Sequence, residues 1–74
     1  MSLYELMNNT TIQGHVRIVV FDHDGSRIED EKYMRYVDDL AYEELPEGWE
    51  DMTVEFLYWD SDYLTIEIYM KEEG

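Results

Sequence analysis

Two aspartates frame the turn Asp22-His23-Asp24-Gly25-Ser26, directly after the apolar run Ile18-Val19-Val20-Phe21. Carboxylates so placed at a strand end can divide a reaction between them. One attacks, the other moves a proton, and a divalent cation holds both. The same residues also make an ordinary tight turn, because Asp bonds nearby backbone and Gly accepts positive φ. The two histidines, His15 and His23, sit at opposite ends of the intervening strand, so their rings are not expected to meet. Spacing alone supports no Ser–His–Asp arrangement. A helix–loop–helix calcium loop needs its Gly at the sixth position. Here Gly25 is the fourth residue from Asp22, and strands flank the turn. Carboxylates are abundant, yet nothing singles out a glycosidase pair, and so short a chain leaves little room for a cleft.

The stretch from Ile18 to Ser26 resembles the nucleophile motif of the haloacid-dehalogenase-like phosphatases, an apolar strand followed by Asp-x-Asp-Gly-Thr. That resemblance implies Asp22 as nucleophile and Asp24 as general acid and base, with Mg²⁺ on the carboxylates. Asp38-Asp39 imitates the family's distant acidic pair. The match covers only nine residues, and Ser26 stands in place of the Thr. The fold also needs parallel strands with crossover units of about 30 residues each. Too little chain follows the motif for that, and it reads as strands. A hairpin turn is therefore the reading of this segment, and a small metal-dependent hydrolase using Asp22 and Asp24 is the alternative function.

The chain has 74 residues, 19 acids against 5 bases, and a formal charge of −14. One domain, 1–74, is all that length supports. An apolar share of 45% with 15% aromatics predicts a packed core rather than an acidic disordered tail. The absence of cysteine excludes disulfides, thiolate metal sites and a Cys nucleophile, and favours a cytoplasmic location. No basic region followed by an apolar stretch opens the sequence, so no signal peptide is expected. No cofactor is expected either. Phosphate backbones and anionic membranes would repel the charge, so neither direct nucleic-acid nor membrane binding is expected.

The charge is uneven. Residues 36–74 hold thirteen acids and one base, and no Lys or Arg occurs between Arg35 and Lys71. Asp38, Asp39, Glu43 and Glu44 form one run; Glu47, Glu50 and Asp51 form another, with Trp49 among them. Carboxylates interleaved with Tyr and Trp suit a basic, Arg-rich protein face, through ion pairs and cation–π contacts. These eight residues are the candidate binding site. Dense acidity on a small body can also imitate DNA, which carries one charge per roughly 1.7 Å of axis. The plainer reading is a solvated face that maintains solubility.

The elements that must position these residues follow from periodicity. Ser2 with Glu5 fits a capping box, and Leu3, Leu6 and Met7 share one helical face. Asn8, Asn9 and Gly14 end that helix. His15–Phe21 alternates as a strand. A weaker strand, expected at an edge or with a bulge, returns over Arg27–Val37. Asp38–Trp49 reads as a loop with room for a helical turn at Asp39–Leu45, closed by Pro46 and Gly48. Met52–Trp59 and Tyr63–Met70 form a second hairpin about Asp60-Ser61-Asp62. The fold class is therefore α+β: a four-stranded antiparallel sheet of two hairpins with one short N-terminal helix.

The expected core face is Val16, Ile18, Val20, Val54, Phe56, Leu64, Ile66 and Ile68, capped by Leu3 and Leu6. The pairing between hairpins is left open, although joining the first strand to the fourth would place the two best strands centrally. The other face carries Val19, Phe21, Leu57, Trp59, Tyr63 and Tyr69, where a half-buried sheet is usually polar. Three readings fit: cross-strand aromatic pairing, cover by residues 38–49 with Leu45 and Trp49 as plugs, or a surface for a partner or homodimer.

Across nearly its whole length the chain resembles small acidic uncharacterised proteins of phages and mobile elements in gut anaerobic bacteria. The resemblance rests on Met-Ser-Leu-Tyr-Glu-Leu-Met-Asn-Asn-Thr-Thr-Ile-Gln-Gly at the start, Val-Phe-Asp-His-Asp-Gly, Val-Asp-Asp-Leu, and the closing Thr-Ile-Glu-Ile. It implies a bacterial cytoplasmic setting and no known activity. It also brings small inhibitors of host nucleic-acid enzymes into consideration. The expected function is a non-catalytic acidic module that contacts a basic, nucleic-acid-handling protein.

Overall fold

The computed structural model describes residues 1–9, 12–40 and 44–71. Helix α1 (Leu3–Asn9) precedes strands β1 (His15–Phe21), β2 (Met34–Asp38), β3 (Thr53–Asp60) and β4 (Tyr63–Tyr69). The protein is thus an α+β domain with one N-terminal helix and two hairpin-like strand pairs. Helix α1 starts on the expected capping box. Ser2 Oγ accepts from the Glu5 N–H at 3.1 Å, and Glu5 Oε1 accepts from the Ser2 N–H at 3.2 Å. Two otherwise orphaned donors are satisfied in this way. Seven residues make a marginal helix, so its stability comes from docking Leu3 and Leu6 in the core.

The strand order is β2-β1-β4-β3. Each outer pair is antiparallel, and the two pairs meet through a parallel β1–β4 contact in which Val16 faces Leu64 and Val20 faces Ile68. The central strands are those with the strongest apolar patterns. In β1, Val16, Ile18 and Val20 are buried on one face and Val19 on the other. Burial on both faces is what a central, parallel-paired strand requires.

Two expected strands need correction. β2 does not begin at Arg27. Arg27 makes an isolated bridge to Phe21, residues 28–33 leave the sheet with a 3₁₀ turn at Glu31–Tyr33, and pairing resumes at Met34 opposite Val19. The charged run Glu29-Asp30-Glu31-Lys32 has no apolar alternation to hold it in a ladder. β2 does take the edge position that its weak pattern suggests. The hairpin turn is also longer than an Asp-Gly pair. Gly25 N–H donates to Asp22 O, Asp22 N–H donates to Ser26 O, and only Gly25 has positive φ (89°). That is a three-residue loop closed by a left-handed Gly.

The second correction is in β3. A bulge lies between Val54 and Phe56: Val54 pairs with Ile68, but Phe56 pairs with the adjacent Glu67. One extra residue, Glu55, reverses the facing of everything beyond it. Leu57 and Trp59 therefore lie on the helix side, opposite Ile66 and Leu64. Phe56 leaves the expected core face and is exposed.

Of the expected covering segment, Leu40, Leu45 and Trp49 lie on the helix side of the sheet, not the other side. Leu40 and Trp49 are buried with Leu3, Leu6, Val16, Ile18, Val20, Ile66 and Ile68, and Leu45 packs against that cluster. The expected helical turn at Asp39–Leu45 falls partly on residues 41–43, outside the described residues. On the opposite face, cross-strand aromatic pairs take over. Phe21 stacks on Tyr69 with centroids 5.1 Å apart, and Tyr36 meets Tyr63 edge-on at the same distance.

The two tryptophans thus occupy opposite environments, and their removal should separate them. Trp49→Ala is expected to destabilise by about 3–5 kcal/mol. That is a large part of the roughly 4–11 kcal/mol available to a chain this size. Trp59→Ala should change stability by less than about 0.5 kcal/mol. Urea unfolding followed by circular dichroism measures both. Equal losses for the two variants would contradict this placement.

Candidate functional site

The register sorts the acids by position. At one end of the sheet β1 and β4 begin and β2 and β3 finish. That end holds Asp38, Asp39, Asp60 and Asp62. At the other end β3 begins and β4 finishes. There the Trp49–Asp51 turn enters β3, so Glu50 and Asp51 belong to this end, with the Asp22–Ser26 turn after β1. Six residues of β4, Leu64 to Tyr69, separate the two ends, and their five steps span roughly 17 Å at 3.3–3.4 Å per residue. The sequence cluster is therefore divided. Glu44 and Glu47 are exposed on the connection between the ends, and Glu43 lies outside the described residues.

Several predicted site residues have local structural work. Asp39 has φ 56°, its Oδ1 accepts from the Gly14 N–H at 2.8 Å, and its own N–H donates to Gly14 O at 3.1 Å. It fastens the end of β2 to the start of β1. Asp38 contacts His15 Nδ1 across the same pair of strands. Trp49 is only 4% exposed, so its indole belongs to the core and offers no surface to a partner. Glu44, Glu47, Glu50 and Asp51 remain exposed carboxylates.

The Asp22–Asp24 turn is engaged with itself. Asp22 Oδ1 accepts from the His23 N–H at 2.7 Å and lies 2.8 Å from His23 Nδ1. Asp24 Oδ1 accepts from the Ser26 N–H at 2.9 Å. The hydrogen bonds from Ser26 hold the Asp24 carboxyl below its ordinary value, since they favour the charged form. Both side chains thus stabilise the turn that contains them. Among the described residues no three His, Asp or Glu side chains gather to hold a metal ion.

The sequence singled out the open sheet face through Val19, Phe21, Tyr63 and Tyr69, but not the polar row that crosses it. Four rows cross it. One row is Tyr36, Arg17, Thr65 and Tyr58, from β2 to β3. Arg17 Nη2 donates to Thr65 Oγ1 at 3.0 Å and to Asp60 Oδ2 at 2.6 Å, so one side chain braces β1, β4 and β3. Burial would lower its pKa, but hydrogen bonds to Asp60 and Tyr36 outweigh that and raise it. Tyr58 OH donates to Glu67, which raises the Tyr58 pKa together with partial burial. Partial burial and the Glu67 charge do the same for Tyr69. A hollow of about 270 Å³ lies over this face, bordered by Arg17, Phe21, Arg27, Tyr58 and Glu67. A neighbouring one of about 380 Å³ lies between Ile28, Asp30, Met34 and Tyr36. Both are shallow and of mixed charge.

The available signal for this face was the row of bulky residues at alternate positions in β1 and β4. No helix among the described residues is long and apolar enough to cross a membrane. Compared with protein-family models, curated proteins and solved structures, the chain matches none.

Asp39 supplies a test of which acids are structural. Asp39→Ala removes the bond to Gly14 and leaves a β-carbon at positive φ, with an expected loss of about 1–2 kcal/mol. Asp39→Asn keeps an acceptor and tolerates that backbone, so it should fall within about 0.5 kcal/mol of the parent. Denaturant midpoints measure both. Equal losses would mean that charge, not the Gly14 bond, matters at this position.

Proposed function

We propose that the protein is a non-catalytic acidic module that binds a basic protein surface. The observation that carries this reading is the charge imbalance on a small body. Nineteen acids and five bases leave at least 14 carboxylates that no Lys or Arg of the chain can neutralise. They are carried on a molecule measuring 34 × 24 × 19 Å. Acids at both ends of the sheet and along the connection create a field that attracts cationic surfaces and accelerates encounter. The two ends together span more than one Debye length, about 8 Å at physiological ionic strength. A partner that spans both ends is therefore held by two separately screened patches.

The partner class that fits is a nucleic-acid-handling protein, whose groove already accepts dense negative charge. The same charge opposes direct contact with nucleic acid or anionic membranes. A bacterial cytoplasmic setting accompanies this reading. The residues proposed to make the contacts are Glu44, Glu47, Glu50 and Asp51, with Asp38, Asp60 and Asp62 at the other end.

Fluorescence anisotropy with a labelled Arg-rich dodecapeptide tests the reading. Saturable binding is expected at about 50 mM salt, weakening at least about tenfold by about 200 mM. Replacing Glu44, Glu47, Glu50 and Asp51 by their amides should weaken it further. Duplex DNA offered together with a purified DNA-binding protein should then compete for that protein. No saturable binding at low salt, or binding indifferent to the four amide substitutions, would overturn the proposal.

A further inference from the structure

The outer edge of β3 is only partly paired. At its first residues the edge is already paired. Ser2 bridges Thr53, Leu3 N–H donates to Met52 O at 2.9 Å, and Val54 N–H donates to Met1 O at 2.8 Å. This short antiparallel pairing ends at the bulge. Beyond it β3 is the outermost strand. Phe56, Leu57, Tyr58 and Trp59 follow with 56%, 49%, 43% and 70% of their surface exposed. The bulge sends Phe56 and Tyr58 to one face, and Leu57 and Trp59 to the other. Both sides of this edge are therefore apolar.

Proteins usually protect such an edge with Lys, Pro, a short strand or a covering segment. β3 has eight residues, the sequence Thr-Val-Glu-Phe-Leu-Tyr-Trp-Asp, and neither Lys nor Pro. Its one irregularity lies before the apolar run, which pairs regularly with β4 from Phe56 to Asp60.

Charge decides what fits there. A second copy would bring −14 against −14. A two-fold antiparallel pairing would bring Glu55 and Asp60 of both copies into one short strand pair, adding like charge there. The geometry points to a different occupant: an extended segment of another protein, apolar at its centre and carrying Lys or Arg at its ends. Main-chain hydrogen bonds would continue the sheet at Phe56–Asp60. Basic ends would lie against Glu55 and Asp60, and the exposed Trp59 ring can receive a guanidinium or ammonium. This inference rests on the reading that the partner is basic, and adds where and in what conformation it binds.

The test is selection of a random displayed octapeptide library on the intact protein. Enriched peptides are then measured against three proteins: the parent, Leu57→Lys/Trp59→Lys, and the Glu44, Glu47, Glu50 and Asp51 amide variant. Both lysines replace exposed side chains, and circular dichroism checks that the fold is kept. Amide exchange on the parent gives a readout that needs no variant. The expected peptides are apolar at the centre, carry Lys or Arg at their ends and lack Pro. They should bind the lysine variant at least tenfold more weakly and slow exchange within Phe56–Asp60.

Four outcomes overturn the inference: no enrichment, enriched peptides without Lys or Arg, unchanged exchange at Phe56–Asp60, or a parent that sediments as a dimer which the lysine pair dissociates. Peptides that lose affinity only for the amide variant would overturn the edge site while leaving the acidic-surface reading intact.

Discussion

Cover for apolar surface is scarce in so short a chain, and the architecture follows from where it is placed. A chain of 74 residues buries only about 60% of the surface it exposes when unfolded. One sheet face can be covered well. The helix, Leu40, Leu45 and Trp49 cover the central strands on that face. β1 and β4 receive most of the protection and pair in parallel at the centre. The other face relies on ring pairs and on the Arg17 brace to Thr65 and Asp60. The far half of β3 is beyond the cover altogether.

The same scarcity connects the fold to its surface chemistry. A long apolar edge strand promotes edge-to-edge pairing. A charge of −14 opposes pairing with identical copies and tolerates pairing with a cationic chain. The acidity and the bare strand are therefore complementary. In the proposed reading, charge would select against the self and towards a basic partner, and the edge would offer that partner a fixed direction and register. Neither feature requires a catalytic cleft. The Asp22–Asp24 turn, the segment closest to a catalytic motif, is accounted for by its hydrogen bonds to His23 and Ser26.

Much of this was legible in the sequence. The capping box, the four strands, the edge position of β2 and the helix face of Leu3 and Leu6 follow from local pattern. Three features were not legible. The bulge at Glu55 has no glycine or proline to announce it, and it moves Phe56, Leu57 and Trp59 to the faces opposite those their alternation suggests. Trp49 read both as a contact residue among the acids and, with Leu45, as a plug on the other face; its burial on the helix side depends on long-range packing that local spacing does not show. The acidic runs looked like one patch, since linear spacing does not reveal that Asp38 and Asp51 fall at opposite ends of the sheet.

The central claim is that β3 is bulged at Glu55 and bare beyond it. Residue-resolved amide exchange and interproton contacts, measured by NMR on the free protein, test it directly. The account predicts the slowest exchange in β1 and β4 and fast exchange at the outward-facing amides of residues 56–60. It also predicts contacts of Leu57 with Ile66 and of Phe56 with Glu67. Slow exchange throughout β3, or Phe56 in contact with Ile66 and Ile68, would contradict it.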